Sequence, residues 1–168
     1  MSELSTTEHA LLGAPHQYLT PLERPTLEEA YAWCNELTRT HYENFHVATI
    51  FLPRNVRPHF ESVYAYCRVA DDLGDEVGDP VVATRLLDAW GSMLDECYDN
   101  PERSLHPVFV ALHPTIEVCN IPIDPFLDLL TAFRQDQTVH RYPTWDGVLG
   151  YCRYSAVSLR WPVPYWFR

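Results

Sequence analysis

The residues best suited to chemistry form an acidic cluster that follows a tyrosine and an arginine, within positions 64–79. On a helix, steps of three and four residues return to the same side, because each residue advances by ~100°. A helix through this segment carries one polar face, and Asp72 lies beside it. The residues on the face are Tyr64, Arg68, Asp71 and Asp75. Carboxylates near a helix C-terminus are disfavoured by up to ~1 kcal/mol each. The pattern therefore predicts a cation that offsets them.

Magnesium is the cation that this cluster suits best. Mg²⁺ prefers oxygen ligands, keeps several waters and bridges carboxylates to substrate phosphates. Arg68 lies one turn before the acids, where it can pair with a carboxylate or donate two hydrogen bonds to a diphosphate. The D-x-x-x-D spacing alone also fits a solvated acidic helix end that leads into a loop. A site is favoured here because Tyr64 and Arg68 share the face of an otherwise apolar helix.

Composition limits the classes of function. A chain of 168 residues is long enough for one domain with a core, and its net charge of −11 argues against nucleic acid as a partner. A small diphosphate stays compatible with this charge, because Mg²⁺ can bridge two anionic partners. No apolar run approaches the ~20 residues of a membrane-spanning helix, and no secretory signal opens the chain. We therefore expect a cytoplasmic protein.

The cysteines show no pairing pattern. They are scattered singly, without a C-x-x-C motif, at Cys34, Cys67, Cys97, Cys119 and Cys152. An odd number spread in this way indicates reduced, buried thiols rather than a disulfide framework or a zinc site.

Helix-start signals recur along the chain. Thr26 and Glu29 form a capping box ahead of an apolar repeat. Three further starts place a proline at the first helical position, two of them after a capping aspartate, and a last one is marked by a threonine: Asp79-Pro80, His106-Pro107, Asp124-Pro125 and Thr144. No stretch alternates with period two between hairpin turns. The sequence therefore predicts an all-α fold.

Several separate blocks resemble the squalene/phytoene synthases, particularly the bacterial squalene synthases of hopanoid pathways. They follow the family's order between residue 41 and about residue 156: Tyr42–Ala48, Leu52–Arg54, Arg57–His59, Tyr64–Glu76, Phe133–Asp136, Arg141–Asp146 and Tyr151–Ala156. The resemblance implies a helical bundle of the isoprenoid synthase type, around a deep apolar cavity lined by two aspartate-rich motifs. Residues 25–156 would form the N-terminal half of that domain, after a flexible arm at 1–24 and before an aberrant tail at 157–168.

The resemblance also implies roles for individual residues. The first aspartate motif, which holds Mg²⁺, would be Asp71, Asp72 and Asp75. The substrate-binding residues would be His41 and Phe45, in the segment that covers the cavity mouth, and Arg68 on the diphosphate. The catalytic residues beside the carbocation would be Tyr64 and Tyr151. Elsewhere, Trp145 is assigned to packing, and Asp136 is expected to pair with Arg134 on an exposed helix face.

The implied reaction joins two farnesyl diphosphates head to head, through a cyclopropyl diphosphate called presqualene diphosphate. Reduction by NADPH then gives squalene, or capture by water gives hydroxysqualene. Ionising an allylic diphosphate needs metal charge on the leaving group, and the resulting cation is stabilised by aromatic faces in a dry cavity. Three alternatives stay open: a phytoene synthase-like enzyme, a non-catalytic helical fragment, and a helical metal-binding domain unrelated to prenyl chemistry. Peripheral contact with a membrane is compatible with an insoluble product, although no amphipathic anchor demands it.

The end of the sequence departs from the family pattern. After Ala156 the family usually continues with Asn-Pro-Val-Gly and a long apolar helix, whereas this chain reads Val157–Arg168. Pro162 and Pro164 would each cost ~3 kcal/mol inside a helix. The second aspartate motif, expected downstream, does not follow. From this pattern we expect a truncated or frame-disrupted synthase product.

Overall fold

The computed structural model describes residues 11–41, 52–139 and 141–155, without the side chains of His41 and Ser155. These ranges contain six α-helices and no strand, which confirms the predicted all-α class. The helices are α1 Leu27–His41, α2 Arg57–Asp75, α3 Pro80–Asp99, α4 Pro107–Cys119, α5 Asp124–Asp136 and α6 Trp145–Ser155. Two single 3₁₀ turns lie at His16–Tyr18 and Pro101–Arg103.

Helix α2 is the centre of the bundle. It packs against α1, α3, α4 and α5, whereas α6 makes its main contacts with α5. Tyr66, Val69 and Leu73 on α2 are fully buried. The predicted chemical residues are therefore carried by the most constrained helix of the described bundle.

Aromatic side chains fill the core around α2. The ring of Tyr66 lies with its centroid 4.8 Å from that of Phe126, 5.8 Å from Trp90 and 6.0 Å from Phe109. Aromatic rings of this size bury 150–250 Å² each and prefer offset or edge-on contacts, as seen here. This cluster ties α2 to α3, α4 and α5.

The local start signals act as the sequence predicts. The Thr26 backbone N–H donates to Glu29 Oε2 at 2.8 Å, and the Glu29 N–H donates to Thr26 Oγ1 at 3.3 Å, which completes the capping box. Asp79 Oδ1 accepts from the Val81 N–H at 2.9 Å. Thr144 Oγ1 accepts from the N–H of the first-turn glycine of α6 at 3.2 Å. The Asp124 start differs, because α5 begins there without a side-chain cap.

Residues 11–24 do not behave as the flexible arm that the sequence predicts for residues 1–24. Leu11 and Tyr18 are buried, and Arg24 Nε donates to the Ser104 carbonyl at 3.1 Å. The polar, proline-rich composition of this segment gives no sign of the two buried side chains, Leu11 and Tyr18, that anchor it to the bundle. Residues 1–10, residue 156 and the predicted tail at 157–168 lie outside the described residues.

The five cysteines all lie in the described part of the chain and are reduced thiols, as expected, with Cys34 and Cys97 buried and the others partly buried. Burial raises the pKa of the Cys97 thiol to about 12, which keeps it protonated and unreactive. Trp145 is 73% exposed, so its assignment to packing is wrong for the described bundle. None of the described helices is long and apolar enough to cross a membrane.

Candidate active site

The polar face predicted on α2 exists. Tyr64, Arg68 and Asp71 are partly buried on this helix, and Asp75 is exposed at its last residue. Tyr64 lies close enough to Arg68 for its phenol group to influence the guanidinium. The described helices leave this face accessible, while the opposite side of α2 forms the core.

Asp72 differs from the two aspartates beside it. Only 1% of it is exposed, and its carboxylate forms an ion pair with Arg68 Nη2. The hydroxyl of Tyr18 donates a hydrogen bond to the other carboxylate oxygen. Asp72 is thus held from two sides, whereas Asp71 and Asp75 face solvent.

Arg68 is the cation of the cluster. Its Nη1 lies 3.2 Å from Asp71 Oδ2, and its Nη2 lies 3.7 Å from Glu76 Oε1 in addition to the pair with Asp72. Burial works to lower the pKa of Arg68, but the carboxylates of Asp72 and Asp71 outweigh it and raise the pKa. The guanidinium Nε is buried and has no hydrogen-bond partner among the described residues. This donor is therefore enclosed, whereas the Nη groups at the other edge of the guanidinium carry the contacts to the carboxylates.

Asp71 lies in an excess of negative charge. Its partial burial raises the pKa of its carboxyl group, and the charges of Asp75, Asp72 and Glu76 raise it further, against the opposing effect of Arg68. Within the described part of the chain, the single positive charge of Arg68 does not balance these acids. A cation bound beside Asp71 would stabilise the ionised carboxylates.

A second pair of side chains faces the end of α2 from α5 and α6. The hydroxyl of Tyr151 donates to Asp136 Oδ2 at 2.8 Å. Burial raises the pKa of Asp136, the hydrogen bond from Tyr151 opposes the rise, and the charge of Asp75 adds to it. Because Asp75 acts on Asp136, the ends of α2 and α5 carry neighbouring carboxylates.

Sequence reasoning assigns Asp136 to a pair with Arg134 and not to the candidate site. Arg134, its expected partner, instead places Nε 2.8 Å from Asp88 Oδ1 on α3. The contact between Asp136 and Tyr151 joins two helices across 15 residues, and no helical spacing signals it.

The sequence profile of the family described as "Squalene/phytoene synthase" matches residues 38–159, which is well over half of the chain. The chain belongs to the squalene/phytoene synthase family. This is a family of prenyl transferases.

Relatives occur on both branches of the squalene/phytoene synthase family. A crystal structure of squalene synthase HpnC from Alicyclobacillus acidocaldarius superposes with a TM-score of 0.71 at 43% identity, over 89% of this chain and 52% of that one. The 15-cis-phytoene synthase of Synechococcus elongatus is 30% identical over 76% of this chain and 41% of its own. The chloroplastic phytoene synthase of Daucus carota is 28% identical over 77% and 32%. The chain thus spans between a third and about half of these proteins.

Two of the residues suggested by the squalene/phytoene synthase pattern cannot be placed. His41 ends α1, but its side chain lies outside the described residues, as does Phe45 altogether. Their roles at the cavity mouth stay predictions. Tyr64, Arg68, Asp71 and Asp75 do lie together on α2, and Tyr151 approaches from α6 through Asp136.

The described residues of this family member contain no group of three or more acidic, histidine or cysteine side chains arranged to hold a metal ion. The engagement of Asp72 with Arg68 and Tyr18 is one reason, because it leaves Asp71 and Asp75 as the accessible pair of the motif. Mg²⁺ commonly binds through one or two carboxylates together with waters and substrate phosphates. The donor set therefore fits an ion shared with a diphosphate, not a site built from protein alone.

Proposed function

We propose that this chain provides the first diphosphate-binding site of a head-to-head prenyl transferase that condenses two farnesyl diphosphates to presqualene diphosphate and squalene. The observation that carries the proposal is the difference between neighbouring aspartates. Asp71 and Asp75 remain accessible beside Arg68, while Asp72 is buried and engaged. This arrangement supplies two accessible carboxylates and one oriented cation.

Each side chain has a task in this proposal. Mg²⁺ held by Asp71 and Asp75 would neutralise the diphosphate as it leaves. Arg68 would donate to a diphosphate oxygen from an Nη group, since each Nη carries two hydrogens and its contacts to the carboxylates need not use both. Tyr64 and Tyr151 would present aromatic faces to the carbocation, and the hydrogen bond to Asp136 would orient the Tyr151 ring.

The squalene product is supported by the relatives. Identity to the squalene synthase HpnC is 43%, compared with 28–30% to the named phytoene synthases. A squalene product would require NADPH as hydride donor after the cyclopropyl intermediate forms, whereas hydroxysqualene would require water instead. The hopanoid pathway is the proposed context.

Titration calorimetry with farnesyl thiodiphosphate, which does not ionise readily, tests the site. We expect binding by the 168-residue chain only when Mg²⁺ is present. In Asp71→Asn and Asp75→Asn, we expect the affinity to fall by about tenfold or more. Asp99→Asn is the matched control, because Asp99 is exposed at the far end of α3, about 28 Å along that helix from its start beside the site. Binding that is equal in EDTA, or unaffected by Asp71→Asn, would contradict the proposal.

A phytoene synthase-like activity is the second candidate, since several relatives carry that name. The same titration with geranylgeranyl thiodiphosphate separates the two. Tighter binding of the longer analogue would favour the phytoene branch, and binding of neither analogue would favour a non-catalytic fragment.

A further inference from the structure

A tyrosine far from the motif in sequence reaches into it. Tyr18 is fully buried and donates its hydroxyl hydrogen to Asp72, which lies 54 residues later. Burial and the hydrogen bond to Asp72 both raise the pKa of Tyr18, so the phenol stays protonated and acts as a donor. The carboxylate of Asp72 therefore has one neutral donor on one oxygen and Arg68 on the other.

Three carboxylates compete for the Arg68 guanidinium. Asp71 and Glu76 are 40% and 48% exposed, whereas Asp72 is 2% exposed as measured on its side chain. Solvent screens exposed pairs far more than buried ones. The pair with Asp72 consequently decides where the guanidinium lies.

Tyr18 is itself fixed by the start of α4. His106 Nδ1 accepts from the Val108 N–H at 3.2 Å, so the ring proton resides on Nε2, which donates to the Tyr18 carbonyl at 3.2 Å. Burial lowers the pKa of His106 to about 3, and the ring stays neutral in this tautomer at neutral pH. The Tyr18 N–H also closes a 3₁₀ turn onto the Pro15 carbonyl at 2.8 Å. The phenol thus has a defined position relative to α2.

We propose that Tyr18 is a positioning residue for the site, acting through Asp72 on Arg68. Its hydroxyl orients the Asp72 carboxylate, which in turn holds the Arg68 guanidinium beside Asp71 and Asp75. Asp72 accordingly belongs to the support of the arginine and not to the metal ligands. The ligand that Arg68 contacts rests on the proposed function. The hold that Tyr18 and Asp72 exert on the Arg68 side chain does not.

Arginine ¹⁵N NMR of the unliganded chain measures that hold directly. The Nε–Hε signal of Arg68 is assigned by its loss in Arg68→Lys, and exchange between the two Nη groups reports rotation of the guanidinium. In Tyr18→Phe, which keeps the buried ring and removes the hydroxyl, we expect about tenfold faster rotation. Tyr98→Phe is the matched control, because the Tyr98 hydroxyl donates to the Ile121 carbonyl at 3.0 Å, away from the acidic cluster.

Binding of Mg²⁺ with inorganic pyrophosphate provides the second readout. We expect about tenfold weaker binding in Tyr18→Phe and less than about twofold change in Tyr98→Phe. In an Asp72→Asn background, Tyr18→Phe should add less than about twofold, because its route to Arg68 is already cut.

The outcomes separate this inference from the proposed function. Unchanged Arg68 rotation in Tyr18→Phe, or an equal effect of Tyr98→Phe, would overturn the positioning role whatever the chain binds. Faster rotation in a chain that binds no Mg²⁺–pyrophosphate would support the positioning role and overturn the proposed function.

Discussion

At the scale of single residues, adjacent aspartates in one motif occupy opposite environments. Asp71 faces solvent among like charges, and Asp72 is buried against Arg68 and Tyr18. The sequence predicts the shared face of Tyr64, Arg68, Asp71 and Asp75 because helical spacing is local information. It does not predict the burial of Asp72, since the partner that distinguishes it lies 54 residues away.

Asp71→Asn should stabilise the unliganded chain by a few tenths of a kcal/mol at pH 7, because partial burial and the charge of Asp75 together disfavour the ionised carboxylate more than its pair with Arg68 favours it. The raised pKa of Asp71 gives the sign of the pH dependence. The folded state keeps the proton to higher pH than the unfolded state, so stability falls as pH rises from the ordinary value of 3.8 through the raised one. Urea unfolding should show that the gain in stability of Asp71→Asn over the wild type is larger at pH 7 than at pH 4. A loss of stability at pH 7 would contradict the account.

Tyr151→Phe should cost ~0.5–1 kcal/mol at pH 7, because it removes a hydrogen bond to the partly buried carboxylate of Asp136. The cost should shrink at acid pH, where Asp136 is protonated and the bond is no longer charge-assisted. Urea unfolding across this range measures it. Tyr98→Phe, whose acceptor is a backbone carbonyl, should show a cost that does not vary with pH. Equal pH profiles for the two variants would argue against an ionised Asp136.

At the scale of elements, local signals predict helix starts well and long-range anchors poorly. The capping box at Thr26 and the caps at Asp79 and Thr144 depend on atoms within three residues of each other. His106 is different, since it caps α4 and also packs edge-on against Trp90 with ring centroids 4.9 Å apart. The sequence predicts the helix start at His106-Pro107 but neither of these contacts.

His106→Asn tests the buried histidine. Burial lowers the pKa of His106 to about 3, against a weaker opposing effect of its bond to the Tyr18 carbonyl. Between these two pKa values the unfolded state therefore binds a proton that the folded state does not bind. The free energy of unfolding consequently decreases as pH falls from about 6.5 towards 3. We expect the variant to be less stable at pH 7, through lost aromatic packing, and to show a shallower fall in stability from pH 6.5 to 4. His16→Asn, at an exposed histidine, should keep the wild-type slope; a His106→Asn slope as steep as this control would contradict the burial argument.

At the scale of the whole molecule, the family pattern predicts the architecture. Composition does not predict that part of the N-terminal segment packs into the bundle. The chain superposes over 89% of its length on a squalene synthase with a TM-score of 0.71, as the ordered motif blocks imply. Residues 11–24 were expected to form part of a flexible arm, because their polar, proline-rich character gives no periodic signal. Two buried side chains, Leu11 and Tyr18, make this segment part of the bundle and bring it to the site.

Ligand binding should be visible as a gain in global stability. A ligand that binds only the folded state stabilises it by ~2.7 kcal/mol at one hundred times its dissociation constant. Farnesyl thiodiphosphate with Mg²⁺ should therefore raise the melting temperature of the wild-type chain, and neither component alone should do so. Asp71→Asn should lose this shift, while Asp99→Asn keeps it. A shift with the analogue alone would indicate binding of the prenyl chain without the metal.

The most direct test of the central claim is a crystal structure with Mn²⁺ in place of Mg²⁺ and farnesyl thiodiphosphate, read by anomalous scattering. The account predicts a Mn²⁺ peak between the diphosphate and the carboxylates of Asp71 and Asp75, with Asp72 still bound to Arg68 and Tyr18. A peak coordinated by Asp72, or a diphosphate bound away from the end of α2, would contradict it.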